Sequence, residues 1–138
     1  FNDVYGFRNG DRVIQLFADI IKKELPKNFF IAHIGGDDFF CAQEYDTYNL
    51  EDISCIVNKF ADNAKEFYSK EDKENGYINS KDREDMTKEF PLLTVSASVL
   101  LLESKTKQRS AENINKVLSS QKKVAKNEPT HISISSLL

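Results

Sequence analysis

The residues best suited to chemistry are Gly35-Gly36-Asp37-Asp38-Phe39. Two adjacent glycines expose backbone N–H groups with no Cβ in the way, so a bulky anion such as a phosphate can approach closely. Carboxylates directly after them suit a hard cation such as Mg2+, which prefers oxygen ligands and bridges to phosphates. Successive strand residues point to opposite faces, so Asp37 and Asp38 should serve different groups, one of them a metal. The same residues also suit an ordinary exposed hairpin turn, for which Gly and Asp supply the backbone angles and local hydrogen bonds. Composition alone leaves both readings open.

The elements around this pentapeptide read as a hairpin held by helices. Phe29 to Ile34 and Phe39 to Ala42 are short, mostly apolar runs on either side of the double glycine, the pattern of two strands joined by a tight turn. Upstream, Asp11 to Leu25 carries Val13, Ile14, Phe17, Ile20, Ile21 and Leu25 at helical spacing, and Pro26 stops it. Downstream, Asn49 to Tyr68 predicts a second helix with Ile53, Ile56, Val57, Phe60, Ala64 and Phe67 as its buried stripe. Residues 69–90 form a strongly charged stretch, read as a solvated insertion with a short hairpin around Gly76-Tyr77-Ile78. Leu92 to Leu102 reads as a long central strand, Ser110 to Lys126 as a capped third helix, and His131 to Ser135 as an alternating edge strand. His33 suits a packed or hydrogen-bonded role, and the Lys122-Lys123 pair a solvated helix face.

Composition narrows the classes. At 138 residues, with 40% hydrophobic and 30% charged, the chain fits one α+β domain with its own core, expected to span 1–138. A net charge of -3 argues against general binding of a nucleic acid polymer or an anionic membrane. No apolar run reaches the roughly 18 residues of a membrane span. The two cysteines, Cys41 and Cys55, are too few for a disulfide framework and read as idle thiols in a reducing cytoplasm. The chain opens at Phe1, and the following Asn2-Asp3-Val4-Tyr5-Gly6 looks like the loop after a strand, so a first strand is expected upstream of these residues.

Taken together, Asn2-Asp3, Gly6, Gly10-Asp11 and then Gly35-Gly36-Asp37-Asp38-Phe39 resemble the GGDEF family of diguanylate cyclase domains. The family pattern is F-K-x-x-N-D-x-x-G-H-x-x-G-D, followed after some two dozen residues by G-G-[DE]-E-F. The stretches Gly76-Tyr77-Ile78, Lys81-Asp82-Arg83 and Phe90 to Ser96 look like a subset of that family often joined to an EAL phosphodiesterase domain. The resemblance implies a nucleotidyl-cyclase-like, ferredoxin-like palm fold: a mostly antiparallel central sheet flanked by helices, with the motif on a β-hairpin. It implies a bacterial, cytoplasmic cyclic di-GMP signalling domain that condenses two GTP molecules across a homodimer of two GGDEF domains. An EAL or sensor domain in the same polypeptide is the implied further partner, and Mg2+ or Mn2+ the implied cofactor.

The resemblance also assigns roles. Asn2 and Asp11 match the pair that hydrogen-bonds the guanine edge, and Gly35 and Gly36 the turn that cradles phosphates. Asp37 matches the metal-holding catalytic acid, Asp38 the fourth motif position where Glu is usual, and Lys126 the lysine that contacts the GTP phosphates. Several positions depart from the pattern. Phe7 replaces a common His, and Thr130 a basic residue. Pro26-Lys27-Asn28-Phe29 stands where many relatives carry an inhibitory Arg-x-x-Asp motif. The second implied reading is therefore a degenerate domain that binds GTP and regulates an attached domain.

Overall fold

The structure is a computed structural model that describes residues 1–44, 49–104, 107 and 110–137. Its elements run α1 (Asn2–Tyr5), α2 (Phe7–Glu24), β1 (Phe30–Gly35), β2 (Asp38–Ala42), α3 (Leu50–Ala64), α4 (Lys70–Asn75), β3 (Tyr77–Lys81), β4 (Thr87–Pro91), β5 (Ala97–Leu101), α5 (Ala111–Asn127) and β6 (Ile132–Ser136). This is an α+β fold. Its described strands form three pairs, β1–β2 and β3–β4 antiparallel and β5–β6 parallel.

The core forms where the apolar stripes of α2 and α3 meet. Val13, Ile20, Ile21 and Leu25 pack with Ile56, Phe60 and Ala64, all buried. Phe17 joins this layer to the hairpin, meeting Phe39 at 5.0 Å and Phe60 at 5.4 Å between ring centroids, both edge-on. Local chemistry fixes the helix ends. Leu25 is extended, as the residue before a proline tends to be. The Asn49 side chain accepts from Glu51 N at 2.9 Å to cap α3, and Ser110 accepts from Asn113 N at 3.1 Å to cap α5. A parallel pair needs a crossover, and α5 supplies it, lying against both β5 and β6. Among the described residues no helix is long and apolar enough to cross a membrane.

Three sequence expectations need correction. Asn2–Tyr5 is a helical turn, not an open loop. The hairpin expected in the charged stretch is present as β3–β4 with Ile78 buried, preceded by α4, which Ser69 caps and Gly76 at φ 79° ends. Its hairpin turn lies at Asp82 to Met86 instead of Gly76, because Asp82 Oδ1 accepts from Glu84 N (2.9 Å) and Met86 N (3.0 Å). The strand foreseen over Leu92 to Leu102 begins only at Ala97. Before that point, Leu93 N donates to the Tyr68 hydroxyl (2.9 Å), a side-chain bond in place of a ladder bond. The last strand pairs in parallel with β5, residue Ala97 opposite Ile132 through Leu101 opposite Ser136.

Candidate functional site

The motif sits on the β1–β2 hairpin. Pairing runs regularly from Phe30 opposite Ala42 to His33 opposite Phe39, then shifts so that Gly35 faces Asp38. Gly35 (φ 140°) and Gly36 (φ 55°) take backbone angles that a side chain would strain, and a Cβ on either would meet nothing within 4 Å. The glycines are thus required by backbone angle, and the space above them is open. His33 supports the turn: its Nε2 lies 2.9 Å from the Gly36 carbonyl oxygen and its ring stacks on Phe39 at 4.5 Å.

The two carboxylates have different surroundings. Asp37 is exposed at the tip, and among the described residues no ion pair or side-chain hydrogen bond engages it. Asp38, the first residue of β2, accepts a hydrogen bond from Lys122 Nζ on α5 at 2.7 Å. Lys122 is therefore not a merely solvated residue, and sequence reasoning missed it. The available signal was its position one helical turn before Lys126, which places both lysines on one face of α5. Lys126 itself is exposed.

The other expected site residues gather at the N-terminus. The Asn2 side chain lies directly over Gly10, where any added Cβ would collide with Asn2 Oδ1 and Cγ. Asp11 follows Gly10 and is exposed on α2. The structure thus makes two groups: Asn2 over Gly10, with Asp11 the next residue on α2, and the hairpin with Lys122 on Asp38. They are connected through Phe17 of α2 against Phe39 of β2.

Among the described residues no three His, Cys, Asp or Glu side chains gather into a metal-holding group. Mg2+ commonly keeps several waters and takes one or two carboxylates together with substrate phosphates. The exposed carboxylate of Asp37 fits that ion in company with a nucleotide. Elsewhere, a surface groove of about 410 Å³ lies between α2 and α3, lined by Asp19, Lys23, Glu24, Lys59 and Asp62. The hydrogen bond from Lys59 holds the Glu24 carboxyl below its ordinary range, and Glu24 raises Lys59 in turn.

A family profile described as diguanylate cyclase, GGDEF domain, matches residues 1–80. No curated protein and no solved structure shows significant similarity to the chain.

Proposed function

We infer the function from one premise: the chain belongs to the GGDEF, diguanylate cyclase domain family. It is a cyclic di-GMP signalling domain, and we read its residues as a guanine-nucleotide site that condenses two GTP across a pair of such domains. The observation that carries this reading is the hairpin itself, with Gly35 and Gly36 open to solvent and Asp37 exposed beside them, unpaired among the described residues.

Each residue has a task that its chemistry allows. Asp11 would accept from guanine N1–H and N2–H, an edge that adenine does not offer, and Asn2 would complete the contact from above Gly10. The backbone N–H groups at Gly35 and Gly36 would hold the phosphates, with Lys126 adding positive charge. Asp37 would hold Mg2+ or Mn2+, which when bound supplies Lewis-acid polarisation at the phosphate. Two domains must face each other, so that the 3′-hydroxyl of each nucleotide attacks the α-phosphate of the other. Each attack forms one phosphodiester bond and releases one pyrophosphate. Residues 1–138 are read as one such domain with 69–90 as its insertion, in a bacterial, cytoplasmic protein that carries an EAL or sensor partner.

One observation favours a second reading, a domain that binds GTP and regulates a neighbour without turnover. Asp38 is one methylene shorter than the usual Glu, and its carboxylate is engaged by Lys122. A displacement near 1 Å in a reacting group can cost roughly a hundredfold in rate. The protein incubated with GTP and Mg2+ or Mn2+, with products separated by chromatography, distinguishes the two. Cyclic di-GMP that disappears in Asp37→Ala supports the cyclase; undiminished synthesis in that variant rejects the assignment of Asp37. Unchanged GTP from a folded dimer supports the regulatory reading.

A further inference from the structure

The segment after Tyr68 reaches back to the N-terminus. Tyr5 Oη donates to Asp72 Oδ2 and accepts from Ser69 N (3.1 Å), a connection across 67 residues of sequence. The two partners are themselves tied together, since Ser69 Oγ caps α4 by accepting from Asp72 N at 3.2 Å. Beneath the hydroxyl, Phe1 stacks on Tyr5 at 5.1 Å, and Tyr68 meets both rings edge-on at 5.4 and 5.2 Å. Tyr68 is buried and accepts from Leu93 N. The cluster therefore rests on a rigid base.

What it holds is a helix too short to hold itself. α1 has four residues, and one isolated helical turn is far below the length at which helices persist in water. Asn2 and Tyr5 occupy the two ends of that turn. Anchoring the Tyr5 ring and hydroxyl thus fixes the backbone that carries Asn2. Asn9 Nδ2 adds a bond to the Tyr5 carbonyl at 2.9 Å, tying the same turn to α2. The Asn2 carboxamide then lies over Gly10, the residue before Asp11 on α2.

We propose that Tyr5, through its hydroxyl bonds to Ser69 and Asp72, is a positioning residue for nucleobase recognition. The α4 segment is then a brace that holds Asn2 in place to read guanine. This rests on the guanine-nucleotide reading of Asn2 and adds to it the residues that set base selectivity from outside the nucleotide site. The brace acts on one contact, the edge that Asn2 reads, and leaves the phosphate-holding hairpin untouched.

The test is a binding titration of GTP, ITP and ATP with Mg2+ on the wild-type protein and on Tyr5→Phe, Asp72→Ala and Asp72→Asn. ITP lacks only the exocyclic amine, which Asp11 reads, whereas ATP lacks the guanine edge altogether. Tyr5→Phe keeps the ring packing and should weaken GTP about three- to tenfold, the usual span for one lost hydrogen bond. It should weaken ITP about as much and ATP less, so the GTP-to-ATP affinity ratio falls. Asp72→Ala should match it, and Asp72→Asn, which keeps an acceptor oxygen, should restore the ratio. Equal losses for all three nucleotides, or an unchanged ratio in a variant that melts like the wild type, would overturn the positioning role. A wild-type protein with no preference for GTP over ATP would instead reject the guanine reading beneath it.

Discussion

Replacing Gly10 with alanine should separate stability from binding. Gly10 lies in α2, where glycine costs up to about 1 kcal/mol relative to alanine because it loses more backbone freedom on folding. The new methyl group would collide with Asn2 Oδ1 and Cγ. Those atoms are the far end of an exposed side chain, so Asn2 can swing aside at little cost. Net stability should therefore stay level or rise by up to about 1 kcal/mol, equivalent to roughly 3 °C in the melting midpoint. Nucleotide binding should move the other way. Losing the Asn2 contact is worth about 1 to 2 kcal/mol, or roughly five- to thirtyfold in GTP affinity. Thermal melts and GTP titrations of Gly10→Ala, Asn2→Ala and the double variant measure both effects. In the Asn2→Ala background the alanine should stabilise without further loss of affinity. Full GTP affinity in Gly10→Ala alone would refute the placement of Asn2 in the site.

Two further outcomes follow from the core and the charges. Phe60 is buried between α2 and α3 and packs on Phe17, so Phe60→Ala should cost about 3 to 5 kcal/mol. In a urea titration this should appear as a large drop in midpoint at unchanged slope. Glu24 and Asp82 are held below the usual carboxylate range, chiefly by hydrogen bonds from Lys59 and Lys88. A carboxyl whose pKa is lowered by folding stabilises the fold above its unfolded value of about 4, and loses that effect as pH falls through the folded value. The melting midpoint should therefore fall as the solution is acidified below about pH 4, and fall less steeply in a Lys59→Met/Lys88→Met variant.

Much of this arrangement is written in local pattern. The apolar spacing of α2 and α3, the Asn49 and Ser110 caps and the double glycine between two apolar runs each depend on near neighbours, so they read directly from the chain. What could not be read depends on distant partners. Tyr68 captures Leu93 N, and this shortens the strand foreseen over Leu92 to Leu102. Asp72 and Ser69 meet Tyr5 across the fold, which turns a charged stretch that looks solvated into a brace. Lys122 reaches Asp38 across 84 residues. Side chains of this kind carry no periodicity of their own, and their partners appear only when the elements pack. The half-exposed Lys122–Asp38 pair is worth little to stability, at most about 1 kcal/mol. Its effect is on where the Asp38 carboxylate points.

The claim common to the catalytic and regulatory readings is that Asn2 and Asp11 select guanine. The most direct measurement is competition between GTP and ATP for the protein in the presence of Mg2+, repeated with Asp11→Ala and Asn2→Ala. Saturable binding that favours GTP in the wild type, with that preference lost in both variants, is the predicted result. Equal binding of the two nucleotides, or a GTP preference that survives both substitutions, would contradict it.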